Sequence, residues 1–282
     1  MKTKSKVVAF PAAELPGLGI AATAGLGNRI LGSRNEIWIC SAYNHHHEPV
    51  MLYVKLGLPV RAMLVEALAA QLAIALRLDC PTPYLVTVKP KHVGRKDGPN
   101  ILAFASLDVS ERSMAKPVRS LEILFDLMER LKVSDLACAF DEWIANDVRS
   151  PSDILISPES RLFMIDHEAA MREGLRPDES TTNWLAARLL ERIQDDDRPL
   201  LLKRIRGRLA ALMRVDLGAA PLAAQYSQDG VAVYTTLVHF LRERLQHLDQ
   251  LLSERIVPEQ QYLALNPQDP STSTMLAEDA AR

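Results

Sequence analysis

The sequence predicts an α+β fold in two parts, a β-rich first part that holds one helix and a mainly helical second part. Three observations predict it. Short runs of β-branched and aromatic residues, bounded by polar turn segments, fill the stretch up to Ala105. A single Ala- and Leu-rich stretch without Gly or Pro, Val60 to Leu78, interrupts them. After Ser106 the apolar residues recur at three- and four-residue spacing, so the boundary is expected near 106–116.

The elements follow in chain order. The first 30 residues are rich in Gly, Ala and Pro without sustained periodicity, which predicts an extended segment with one or two short strands. Glu36–Cys40 and Val50–Leu56 are β-rich runs on either side of the polar Asn44-His45-His46-His47-Glu48-Pro49, so a hairpin is expected. The three consecutive histidines have no Cys or acidic cluster to complete a metal set, and they read as a solvated turn. Between Arg61 and Arg77 only Glu66 and Gln71 are polar, so the Val60–Leu78 helix must be covered on more than one side. Tyr84–Lys89 and Ile101–Ala105 are two further strands joined by the loop Pro90–Asn100. Together these make a four- or five-stranded antiparallel sheet with one embedded helix.

Beyond Ser106, helices are expected over 118–131, 134–147, 181–193, 198–214 and 230–255. Ser134 is a good N-cap for the second, and Asp135 suits its first turn. In the last, Val233, Leu237, Phe240, Leu241, Leu245, Leu248, Leu251 and Leu252 form a stripe that reads as core, with a partner-binding coiled coil as the alternative. Between the second and third helices, Ile154–Ile156 and Leu162–Ile165 flank Ser157-Pro158-Glu159-Ser160, a turn-rich hairpin connection. The resulting organisation is an extended segment over 1–30, a sheet part over 31–110, a helical part over 111–258 and a flexible tail over 259–282.

A formal net charge of −2 over 282 residues argues against a general nucleic-acid binder, which needs a basic excess to neutralise phosphates. Cys40, Cys80 and Cys138 are far apart with no CxxC pair, which predicts a reduced, cytoplasmic setting. Lys2, Lys4 and Lys6 precede too short an apolar run for a signal peptide, and no run reaches the roughly 18 residues of a membrane span. A soluble protein without a membrane partner is expected.

The chemistry concentrates between Phe140 and Glu168. Asp141, Glu142, Asp147, Asp153, Asp166 and Glu168 gather around Arg149, a grouping suited to a phosphate-bound divalent metal. Asn146, Asp147 and Arg149 fall at or beyond a helix C-terminus, where a carboxylate meets the negative end of the dipole. Asp147 there either pairs with Arg149 or has a functional reason. If Ile156 pairs with residue 161 or 162, Asp153 lies across from residue 164 or 165, close to Asp166. Two carboxylates so near one another repel unless a divalent cation takes oxygens from both; the plainer alternative is two solvated turn acids. Lys55 shares a strand face with Met51 and Tyr53, and Glu66 stands on the apolar helix as its candidate partner. The other possibility leaves both exposed at an edge. His167 reads as an orienting neighbour of Asp166 or as a structural residue.

Taken together, Lys55, Glu66, Phe140-Asp141-x-Trp143-Ile144-x-Asn146, Arg149 and Ile165-Asp166-His167 resemble the HipA-like kinases, particularly the short bacterial group. More distantly they resemble phosphatidylinositol 4-kinases and the wider protein-kinase-like fold. The resemblance covers about residues 30–170 and implies a bilobal fold, with ATP and Mg²⁺ as cofactors and a protein substrate or partner as a candidate. It implies that Lys55 contacts nucleotide phosphates and pairs with Glu66, that Gly32 and Ser33 belong to a phosphate-covering loop within Gly25–Arg34, and that Asp153 and Asp166 hold the metal. The family motif runs Asn-x-Asp-Arg, three residues, then Asn. Aligning Asn146 and Arg149 with it puts Val148 at the catalytic aspartate and Asp153 at the metal-binding asparagine. Asp147 is one residue early, and sliding the frame to make it the base moves the metal position to Ser152. A kinase with Asp147 and Arg149 in its catalytic loop is one expectation; a pseudokinase that binds nucleotide or a partner is the other.

Overall fold

Side-chain alternation in the first part builds a closed sheet rather than an open one. The computed structural model describes residues 13–109, 116–117, 120–218 and 228–258; the first twelve residues of the extended segment and the expected tail lie outside them. Six strands, β1 (Gly19–Thr23), β2 (Asn28–Ile30), β3 (Glu36–Asn44), β4 (Pro49–Leu56), β5 (Pro83–Val88) and β6 (Ile101–Leu107), pair in the order β1-β5-β6-β4-β3-β2. Because β1 also pairs with β3, the first five strands of that order close into a ring.

This corrects the expected antiparallel sheet of four or five strands, since β1 runs parallel to β5 from Gly19↔Tyr84 to Ala22↔Thr87. Periodicity reveals a strand but not its partner, and a parallel pairing needs the long crossover that β2, β3, β4 and the first helix supply. Gly19 is required at this contact, because a Cβ there would come within 2.4 Å of the Tyr84 ring. The ring interior is its own core, built from Cys40, Leu52, Val54, Val86, Val88 and Ala105 among others.

The expected hairpin is β3–β4, in register from Tyr43↔Pro49 to Glu36↔Leu56. Its turn is fastened by Asn44, whose Oδ1 accepts from the His46 and Glu48 amides at 2.9 Å each. The three histidines are exposed on that turn. Leu52, Val54 and Leu56 face the ring interior, which leaves Lys55 on the other face.

Helix α1 (Val60–Ala75) packs on β5 and β6 and also on the last helix, which explains its apolar residues on nearly every face. It ends three residues before the expected Leu78, because Arg77 turns to a left-handed φ of 63° with no glycine to announce it. The second part holds α2 (Leu121–Arg130), α3 (Ser134–Trp143), α4 (Trp184–Leu190), α5 (Arg198–Leu212) and α6 (Gln228–Ile256). Strands β7 (Lys116–Pro117), β8 (Ile154–Ile156) and β9 (Leu162–Met164) form a small antiparallel sheet in that order.

Two expectations for α3 are corrected as well. Val133, not Ser134, is the N-cap of α3, and Ser134 is buried as the first helical residue. The helix also stops at Trp143 rather than 147, because Ala145 takes a left-handed φ of 51° and releases Asn146–Arg149 as a loop. The α6 stripe is core: Leu237, Leu241, Leu248 and Leu252 are buried in the same cluster as α1 and α3, so it is not free for a coiled coil. Among the described residues, no helix is long and apolar enough to cross a membrane.

Candidate active site

The β4 strand brings Lys55 out of the sheet beside Glu66 of α1, and the two form an ion pair in which Glu66 is only 2% exposed. The other alternative from sequence, two residues exposed at an edge, is therefore not what the chain adopts. The same Nζ donates to Asp166 Oδ1 at 2.6 Å and to Glu168 Oε2 at 3.1 Å. One ammonium from the sheet thus serves three carboxylates, one from α1 and two from the turn after β9. Burial works against the charge on Lys55, but the three carboxylates outweigh it and push its pKa up. Burial pushes the Glu66 carboxyl up, opposed by Lys55 and by the His167 amide that donates to Glu66 Oε2 at 2.8 Å.

Asp166 reaches this cluster because the backbone takes a left-handed φ of 61° at that residue, a conformation Asp tolerates better than most. Its side chain is 42% exposed, so the carboxylate is open to a ligand beside Lys55. Asp153 lies across the hairpin as expected: Ile154 pairs with Met164, and the Ile165 amide donates to the Asp153 carbonyl at 2.9 Å. Its carboxylate is engaged locally, accepting from the Ser150 amide at 2.7 Å and from Ser152 Oγ at 3.1 Å. Burial pushes its pKa up, the Ser150 contacts pull it down, and the charge of Asp166 pushes it up again. The carboxylate oxygens that come within 4.8 Å of one another, however, are those of Glu66, Asp166 and Glu168, with Lys55 donating to each. Hard carboxylate oxygens of this kind suit Mg²⁺, which takes one or two of them together with substrate phosphates.

Arg149 does not pair with Asp147. Its guanidinium grips Asp141 through two bonds of 2.8 and 3.0 Å, donates to the Ile165 carbonyl at 2.8 Å and lies 3.0 Å from His167 Nδ1. Arg149 and Asp141 are both fully buried, so this arginine holds the 165–167 turn rather than facing solvent. Burial pushes the Asp141 carboxyl up while Arg149 pulls it down. Asp141 and its neighbour Glu142, which pairs with Arg244 and Arg255 of α6, therefore leave the phosphate-facing group of acids that the sequence assembled. Asp147 is half-buried in the loop, and among the described residues its carboxylate makes no hydrogen bond; Val148 is 51% exposed beside it.

His167 is buried against Phe140 and accepts from Arg149 on Nδ1, which assigns its proton to Nε2, 3.9 Å from Cys80 Sγ. Burial, then the charges of Arg149 and Lys55, hold its pKa well below the usual histidine value. Unfolded His167 takes up a proton as the pH falls below about 6.5, whereas the folded one does not, so stability is present above that pH and lost below it. The loss attributable to this residue is about 1.4 kcal/mol per pH unit. Urea unfolding at pH 7.5, 6.5 and 5.5 should show a shallower pH dependence in His167→Gln; equal slopes would assign the acid loss to other groups.

Gly32 and Ser33 lie in the turn Leu31–Asn35 between β2 and β3, with Gly32 at φ 82°. Gly25 and Gly27 are outside that turn. A Cβ on Gly27 would come 2.6 Å from Cys40 Sγ, so this glycine serves sheet packing. At the end of the turn, Asn35 Nδ2 donates to both Glu168 oxygens at 2.7 and 2.8 Å. Sequence reasoning counted Glu168 among the acids around Arg149 but gave it no partner, and it passed over Asn35. Glu168 stood next to Asp166 and His167 in the motif, but nothing marks Asn35.

No family model and no curated protein matches the sequence. Among solved structures, the chain is similar to the Helicobacter pylori proinflammatory kinase CtkA, with a TM-score of 0.50 and 12% identity, covering 87% of this chain and 99% of that one. The likeness is one of fold, a mixed α+β architecture shared with a kinase.

Proposed function

We propose that this kinase-like chain is an ATP- and Mg²⁺-dependent phosphotransferase of the HipA-like kind, acting in the cytoplasm, with a protein hydroxyl as the acceptor to test first. On this reading, residues 31–110 are the nucleotide-holding lobe and 111–258 the lobe that carries the hairpin and catalytic loop. The single observation that carries it is Lys55, tied to Glu66 of α1 on one side and to Asp166 on the other. A kinase-like fold needs such a lysine on phosphate oxygens and such an aspartate for the metal.

When bound, Mg²⁺-ATP supplies the transferable phosphoryl group and part of the charge neutralisation. The chain supplies position. Glu66 keeps the Lys55 ammonium in one place, and Arg149 fixes the 165–167 turn so that Asp166 points at the same spot. Asp166 and Asp153 offer the oxygens for the cation, and the Gly32–Ser33 turn is the candidate cover for the phosphates. Asp147, half-buried and without a hydrogen bond among the described residues, is the carboxylate that can take the acceptor's proton. Arg149 is a positioning residue.

Val148 favours a second reading, a pseudokinase that binds nucleotide or a protein partner without transfer. A valine can neither orient nor deprotonate a hydroxyl, and general-base help is worth about 10²–10⁴-fold. Mg²⁺-ATP is expected to raise the melting temperature, and Asp166→Ala to abolish that rise; no rise in the wild-type chain would sink both readings. Incubation with γ-labelled ATP separates them. Label incorporated by the wild type and lost in Asp147→Ala supports the phosphotransferase, and binding without incorporation supports the pseudokinase.

A further inference from the structure

The contact that the nucleotide reading does not use is the one between Asn35 and Glu168. The Glu168 carboxylate is held from two sides, by Asn35 of the β2–β3 turn through both oxygens and by Lys55 through Oε2. It is 17% exposed, and it lies between a turn that would cover phosphates and the lysine that would contact them. An anionic group with planar oxygens, bound by an ammonium and an amide donor, has the chemistry of a phosphate oxygen pair.

We propose that Glu168 is a built-in competitor for nucleotide phosphate, a clasp that occupies Lys55 and closes the β2–β3 turn until Mg²⁺-ATP displaces it. The inference rests on the nucleotide reading of the same site. Its physical basis is charge. Among the described residues, Lys55 is the cation paired with Glu66, Asp166 and Glu168, so an incoming triphosphate meets an excess of negative charge. Asp166 is relieved by the cation it would bind, and Glu66 is buried behind Lys55. Glu168 is the carboxylate that has to leave. Because the turn is tied to Glu168 through Asn35, its departure also frees the turn to rearrange over the phosphates.

The test compares Mg²⁺-ATP binding by calorimetry in the wild-type chain, Glu168→Gln, Asn35→Ala and the double variant, each checked for a native unfolding transition. Glu168→Gln keeps the shape and removes the charge, and is expected to bind on the order of tenfold more tightly. Asn35→Ala is expected to tighten binding in the wild-type chain relative to its effect in the Glu168→Gln background, since both act through one contact. Equal affinity of wild type and Glu168→Gln would overturn the clasp and leave nucleotide binding intact. Weaker binding by Glu168→Gln would overturn it in favour of Glu168 as a cation ligand. The same effect of Asn35→Ala in both backgrounds would also overturn it. Absence of Mg²⁺-ATP binding in every variant would remove the nucleotide reading itself, and the clasp with it.

Discussion

Replacing Glu142 by alanine is expected to lower the unfolding free energy by about 3–5 kcal/mol, the range for breaking a buried ion pair by removing one partner. Glu142 is fully buried at the end of α3 and accepts from Arg255 Nε at 2.8 Å, from Asn183 Nδ2 at 3.0 Å and from Arg244 Nη2 at 3.3 Å. Arg244 is itself fully buried and tied to the Glu142, Pro177 and Glu179 carbonyls, so it cannot swing to water when the carboxylate is gone. Arg255 is partly exposed and can. The loss is therefore a desolvated arginine charge plus one of the two Asn183 amide bonds, the other going to the Cys138 carbonyl. Arg255→Ala should cost less than Glu142→Ala, because it leaves one arginine on the carboxylate. Urea unfolding of the two variants checks this; a cost below about 1 kcal/mol for Glu142→Ala would mean that α3 and α6 are held without the ion cluster. The consequence reaches the site, since Asp141, the preceding residue, is the anchor for Arg149.

Lys55→Met is expected to weaken Mg²⁺-ATP binding by at least about 100-fold, the size of losing a charge-assisted contact together with its place in a network. It also strands three carboxylates, of which Glu66 cannot reach water. In the variant, Glu66 is driven further toward its protonated form, so the folded state holds a proton that the unfolded state releases. Stability of Lys55→Met is then present at acid pH and is lost as the pH rises from about 4.3 through the raised value. In the wild-type chain, the Lys55 contribution has the same sign in a far higher window: its pKa is raised, so its stabilisation is complete below about 10.4 and lost only above that. Unfolding at pH 5 and pH 8 distinguishes the two. Binding within threefold of wild type would remove Lys55 from the nucleotide site.

Much of the fold was readable because its signals are local. Polar turns bracket β3 and β4, an unbroken Ala/Leu run makes α1, and α6 carries its stripe; each depends on neighbours in sequence. The 153–166 hairpin was readable for the same reason, since its turn residues fix the register that sets Asp153 opposite Ile165. Lys55 and Glu66 were readable as partners because a carboxylate on an apolar helix needs a cation. The helix ends were not. Arg77 and Ala145 take left-handed conformations without Gly or Asn, held by surrounding contacts rather than by their own preference.

What the sequence by itself determined is most of the inventory: the β3–β4 hairpin, β5 and β6, the 153–166 hairpin and the helices α1 to α6, together with a lysine and a glutamate on the apolar helix as candidate partners. Only the tertiary structure decided how the acids divide. Asp141 and Glu142 are adjacent on α3, yet one turns to Arg149 and the other to Arg244 and Arg255 of α6, while Glu168 joins Lys55 and Asn35. The physical reason is that a carboxylate's role is set by the cation or donor it meets after burial. Arg244 stands 102 residues from Glu142 and Asn35 133 from Glu168, beyond the reach of any local pattern, and even Arg149, 8 residues from Asp141, meets it only after the loop beyond α3 folds back.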